Sequence, residues 1–90
     1  MFRNYQDPLY KEWRQKVYKR DNHQCQWPGC NQRKKLNAHH IKTWANFPAL
    51  RFTVDNGITL CYQHHKMIKN LENLYESVFL KIVQDKKSSQ

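Results

Sequence analysis

The chain has 90 residues, with 16 Lys and Arg against 7 Asp and Glu, a formal charge of +9 at neutral pH. Its composition, 39% hydrophobic, 26% charged and 13% aromatic, fits one small domain over residues 1–90. It excludes a disordered tail, a collagen or coiled-coil rod, and a membrane span of roughly 18 apolar residues. Residues 1–51 carry 11 of the basic side chains and only Asp7, Glu12 and Asp21; such a basic face suits a nucleic-acid backbone, although solubility alone would also account for it.

Met1 to Asp7 hold no apolar stretch of a secretory signal, so a reducing, cytoplasmic setting is expected. Residues 8–21 read as a helix, with Asp7 as cap and Pro8 in the first turn. Leu9, Trp13 and Val17 form its apolar face, with Tyr10 and Tyr18 beside them. The opposite face carries Lys11, Arg14, Lys16, Lys19 and Arg20. Residues 22–35 form a turn-rich knuckle ending in Arg33-Lys34-Lys35. Leu36–Ile41 is a short strand. A loop from Lys42 to about Asn56 folds onto the body through Trp44, Phe47 and Phe52. Asp55-Asn56-Gly57 is a turn signal, and Ile58–Leu60 is a second strand that pairs with the first. Met67, Ile68, Leu71, Leu74, Tyr75, Val78, Phe79, Ile82 and Val83 recur at three- and four-residue steps, which predicts one long amphipathic helix over residues 62–84. The tail, Asp85–Gln90, reads as frayed.

The three cysteines cannot make a closed set of disulfides. Cys25-x4-Cys30 encloses Pro28-Gly29, a turn-forming pair. Cys61-x2-His64 follows thirty residues later, and on a helix its two members share a face. Three thiolates and one imidazole suit a structural, tetrahedral Zn²⁺, the staple that a small core needs. The spacing is not that of a C2H2 finger. The alternative is three unrelated buried cysteines.

The order of these elements is a two-Cys knuckle, Ala38-His39-His40-Ile41, a loop, Asp55-Asn56-Gly57-Ile58-Thr59-Leu60-Cys61, and then His64-His65 opening a helix. From Cys25 to Ile68 it resembles the HNH nuclease family. The resemblance implies an α+β chain with a zinc-stabilised ββα-metal fold, an N-terminal helix and a long C-terminal helix. It implies a metal-dependent DNA endonuclease that nicks or cuts duplex DNA. The motif letters fall on His40, Asn56 and His65: His40 as general base, Asn56 holding the loop and hairpin or reaching the ion, and His39 with His65 as ligands of the catalytic divalent cation. The outer zinc set corresponds to Cys25, Cys30, Cys61 and His64, with His64 where the common pattern has a fourth Cys. His39 stands where many members have Asp. Imidazole there moves the preference from Mg²⁺ toward Mn²⁺ or another transition metal.

The chemistry needs a base to take a proton from water, and imidazole titrates in the right range. Adjacent strand residues point to opposite faces, so His39 and His40 share a site only if the strand ends or bends there, or if one reaches around. His64 and His65 stand about 100° apart on a helix, which lets each face a different ion. Arg33, Lys34, Lys35, Lys42, Arg51, Lys66 and Lys69 are the expected phosphate contacts, or else solvated charges, and His23 reads as surface. The expected partner is DNA and not a membrane, and the expected state is a monomer or a homodimer through the C-terminal helix. Small HNH proteins occur as phage packaging nucleases, restriction enzymes and homing endonucleases, which would place a phage-encoded chain in the host cytoplasm. Two other functions remain open: a zinc-stabilised, non-catalytic nucleic-acid-binding module, and a protein-interaction domain built on the long helix.

Overall fold

The computed structural model describes residues 4–88. The first helix, α1, spans Pro8–Arg20, and the Asp7 carboxylate accepts a hydrogen bond from the Leu9 N–H at 2.9 Å. Its buried face is Tyr10, Trp13 and Val17, at i, i+3 and i+7. Leu9 turns outward and is 55% exposed, a correction to the expected face. Tyr10, not Leu9, lies on the Trp13 side of the helix, where α1 meets the sheet.

Arg20 is a second correction, because it does not belong to a solvated basic face. Its guanidinium makes two 2.8 Å bonds to the Asp21 carboxylate and donates to the Val54 and Gly57 carbonyls. The Asp21 side chain is fully buried and also accepts from the Thr59 N–H. The last residue of α1 and its cap therefore bolt the helix to the second strand.

Strands β1 (Leu36–His40) and β2 (Gly57–Cys61) pair antiparallel, in register from Leu36↔Cys61 to His40↔Gly57. Ile41 lies just past the ladder, although its N–H still bonds to the Asn56 carbonyl at 2.9 Å. The intervening loop is ordered by two single 3₁₀ turns, Pro48–Leu50 and Val54–Asn56. Gly57 was expected only as a turn residue. It has an extended φ of −121° and opens β2. It is small because α1 crosses it: a Cβ there would lie 2.5 Å from Val17 Cγ2 and 2.6 Å from Trp13 Cζ2.

The single helix expected over residues 62–84 is two helices, α2 (Tyr62–Met67) and α3 (Glu72–Ser88). Asn70 takes a left-handed φ of 68°, a conformation that Asn tolerates and that ends a helix. Periodicity did not register the break because Ile68 and Leu71 keep the apolar spacing across it. Asp85–Lys87 are helical rather than frayed, and Lys87 Nζ lies 2.8 Å from the Asp55 carboxylate. Ser89 and Gln90 of the expected tail lie outside the described residues.

The two-stranded sheet is covered on both sides. On one side Ile58, Leu60, Ile41, Ile68, Phe79 and Val83 pack with Cys25 and Cys61. On the other, Tyr10, Trp13 and Val17 pack with Ala38. Phe79 and Val83 bring α3 into the core, while Leu74 and Val78 on the same helix, and Leu71 just before it, stay exposed. Full burial of one such side chain contributes about 1.5–3 kcal/mol. No helix among the described residues is long and apolar enough to cross a membrane.

Candidate functional site

The knuckle is built by a Pro-Gly turn. The Cys30 N–H bonds to the Trp27 carbonyl at 2.9 Å across Pro28-Gly29, and Gly29 has a φ of +85°, the geometry of a type II turn. The turn carries Cys25 and Cys30 to the end of β2, where Cys61 closes the strand and His64 sits one turn into α2. The ligand atoms of Cys25, Cys30, Cys61 and His64 all lie within 4.8 Å of one another. His64 Nδ1 is 3.5 Å from Cys25 Sγ and 3.3 Å from Cys61 Sγ. Donors at zinc bond lengths on tetrahedral corners stand about 3.5–3.8 Å apart, so the group could hold a structural metal such as zinc.

The thiols are prepared unequally. Burial pushes the Cys25 thiol up to about 11, against the pull of the Cys61 and Trp27 N–H groups. Burial also raises Cys61, but the N–H groups of His64 and Gln63 and the neighbouring thiols bring it below its ordinary value. Trp27, which no motif marks, stacks on the His64 ring at 4.7 Å with 6° between planes.

Three other histidines, His39, His40 and His65, line one cleft. His39 and His40 do face opposite ways. The His39 ring lies 5.6 Å from both Phe79 and His65. The His40 ring stacks on Trp13 at 4.0 Å and 13°, with Trp44 edge-on at 5.3 Å. The strand ends at His40, one residue short of the expected Ile41, and the chain bends at Ile41 and Lys42. A cleft of about 690 Å³ runs along the open edge of β1, lined by all five β1 residues and none of β2, and His39, His40 and His65 all reach it. Opposite faces of an edge strand meet around its rim.

His40 Nε2 stands 2.9 Å from the Arg51 carbonyl oxygen. A neutral imidazole must carry its proton on Nε2 to donate there, which leaves the lone pair on Nδ1. The sequence could not name this carbonyl, because it comes from the loop. Asn56 is 4% exposed and committed to that same loop. Its Oδ1 accepts from the Lys42 N–H at 2.8 Å, and its Nδ2 donates to the Lys42 and Leu50 carbonyls. Of its two expected roles, this geometry is that of holding the loop. The His39 and His65 rings meet edge to face, at 66° between their planes.

The expected phosphate contacts divide. Lys66 and Lys69 line the cleft, together with Arg14 and Glu72. Lys42 Nζ pairs with Glu76 at 3.3 Å and lies 5.1 Å from the Phe47 ring centroid. Arg51 donates to the Trp44 carbonyl and covers the Trp44 ring at 4.4 Å. Arg33 is engaged with the Asn22 carbonyl and Gln24. Lys34 and Lys35 are exposed in the turn before β1, and His23 is exposed as expected. The contribution of Trp13 could not be read from the sequence, since its 3.6-residue spacing marks it only as core.

Comparison with protein-family models, with curated proteins and with solved structures returns no match.

Proposed function

We propose that this chain is a metal-dependent DNA endonuclease of the HNH type, with a zinc-stabilised ββα-metal fold. The observation that carries the reading is the convergence of His39, His40 and His65 on one cleft, with His40 Nε2 tied to the Arg51 carbonyl. His40 acts as general base: Nδ1 takes the proton of the attacking water, and the imidazolium that forms keeps its Nε2–H bond to Arg51. Asn56 acts at a distance by holding residues 42–50, and through them the carbonyl that sets the tautomer of His40. His39 and His65 would hold one divalent cation. Bound there, the cation supplies Lewis-acid stabilisation of phosphate charge and of the leaving oxygen. Lys66, Lys69 and Arg14 hold the DNA backbone, and Cys25, Cys30, Cys61 and His64 carry zinc.

The test is a supercoiled-plasmid assay of zinc-loaded protein with Mg²⁺, Mn²⁺, Co²⁺ or Ni²⁺ added in turn. Wild type nicks, a chelator stops it, and His40→Ala lowers the rate by about 10²–10⁴-fold while retaining DNA binding. One observation favours a second reading, a zinc-stabilised binding module with a silent site. His40 is only 4% exposed, clasped between Trp13 and Trp44, so water must reach it through the cleft alone. DNA binding without cleavage under every ion selects that reading.

A further inference from the structure

The walls of the cleft carry a pattern that phosphate binding alone does not require. On α1, Tyr10, Arg14 and Tyr18 follow one another at four-residue steps. On the opposite wall Tyr62, Lys66 and Lys69 do nearly the same, and all six line the cleft. Each wall sets aromatic rings beside cations, two rings and one cation on α1 and one ring and two cations opposite. The rings are used differently. Tyr10 is buried beneath the Arg14 guanidinium, 5.8 Å from its ring centroid. Tyr18 is pinned through its hydroxyl to the Leu36 carbonyl at 3.0 Å. Tyr62 is 55% exposed, with the Lys66 ammonium 5.9 Å from its ring. An aromatic ring left open beside a cation, at the mouth of a cleft, is a platform for another flat ring.

A duplex has no base face to offer that ring, because its bases are already stacked and it would meet the cleft with phosphates only. An unpaired strand offers both chemistries at once, phosphates for the cations and base faces for the aromatics. A cleft of about 690 Å³ is also the size of a pocket for a small ligand, not of a surface for a double helix. Glu72 lines the same cleft, and its negative charge sets a limit to the anionic track.

We propose that the cleft binds an unpaired stretch of DNA, with one base stacked on Tyr62 and the adjoining phosphates on Arg14, Lys66 and Lys69. The substrate class is then single-stranded or locally unpaired DNA such as an overhang, flap or bulge. This rests on the nuclease reading for its choice of DNA, but it is tested without cleavage. The probe is a fluorescein-labelled 12-nucleotide single strand, compared with the same strand annealed to its complement as a blunt linear duplex. Binding is read by anisotropy at fixed salt, with the zinc-loaded full chain and no other divalent ion.

A base stacked on an aromatic ring is worth about 5- to 150-fold in affinity. The single strand binds tighter than the duplex by a factor in that range, Tyr62→Ala removes the difference, and Tyr62→Phe keeps it. Tyr62 is exposed, so an unchanged melting temperature for Tyr62→Ala establishes that the fold is intact. Equal or tighter binding of the duplex overturns the proposal, as does a Tyr62→Ala protein with undiminished single-strand affinity. If the plasmid is cut but no single-strand preference exists, this inference alone falls. If the preference exists and neither the plasmid nor a single-stranded or flapped DNA is cut with any of the ions, the nuclease reading falls and the binding cleft stands.

Discussion

Replacing Gly57 by Ala tests how the helix α1 and the sheet are fitted together. The new methyl carbon would lie 2.5 Å from Val17 Cγ2 and 2.6 Å from Trp13 Cζ2, where carbon atoms rest at about 3.5–4.0 Å. Val17 is wholly buried and Trp13 is 1% exposed, so neither can swing aside. The helix must retreat by about 1 Å. That retreat stretches the 2.8 Å bond from Trp13 Nε1 to the Thr53 carbonyl beyond useful length. The loss of that bond adds about 1 kcal/mol to an overpacking cost of about 1–3 kcal/mol. The sum, about 2–4 kcal/mol, is a large part of the total stability of a small domain, about 5–15 kcal/mol. It lowers the melting temperature by about 8–30 °C. Urea denaturation of the zinc-loaded protein followed by circular dichroism reads the change as a lower midpoint at unchanged slope. A Gly57→Ala midpoint equal to that of wild type would refute the account, and with it the claim that α1 lies directly on the start of β2.

Asp21→Ala leaves the Arg20 guanidinium without its partner and the Thr59 N–H without an acceptor, and costs about 3–5 kcal/mol in the same urea experiment; Lys81→Ala, which breaks an exposed pair with Asp85, costs under about 0.5 kcal/mol. Zinc affinity falls about tenfold or more for each unit that pH is lowered below neutrality, because the Cys25 thiol, held up to about 11, is protonated throughout that range and must release its proton to bind; competition with a chelator at pH 6.5 and 7.5 measures the slope, and a flat result excludes Cys25 as a ligand. Single-strand binding weakens steeply as salt rises, and Lys66→Ala lowers the slope of log K against log salt by about one phosphate contact; an unchanged slope would show that Lys66 does not face the backbone.

What could be read in advance was what is local or periodic. The cap at Asp7, the two strands, and the metal-ligand spacing within each of the two ligand pairs all follow from residues close in sequence. The misread parts are those in which a distant segment decides. Leu9 and Tyr10 are equally good apolar residues, and only the position of the sheet selects Tyr10 for burial. Arg20 resembles any basic residue in a last helical turn until Val54 and Gly57 bring their carbonyls to it. The break at Asn70 hides inside an unbroken apolar rhythm, and a single tolerant residue in the left-handed region is enough to make it. At the candidate site, the residue types of the histidine set were visible but their shared cleft was not. That depends on β1 being an edge strand, and on a loop carbonyl eleven residues beyond His40.

The same loop bears on how the chain reaches this structure. Residues 41–56 join β1 to β2, where hairpins that zip from their turns use two to about five residues. Closing so long a loop costs about 1.8 kcal/mol more than closing a two-residue one, so the turn end is a poor place for pairing to begin. The opposite end has other ties. Cys61 is at once a rung of the ladder, opposite Leu36, and a member of the cysteine cluster, and the Gln26 N–H bonds to the Thr59 carbonyl at 2.9 Å. Pairing is therefore favoured to begin where the knuckle grips β2, beside the group that could hold a metal. The ladder runs from there, Leu36 to His40, so the rim where the three histidines meet lies at its far end.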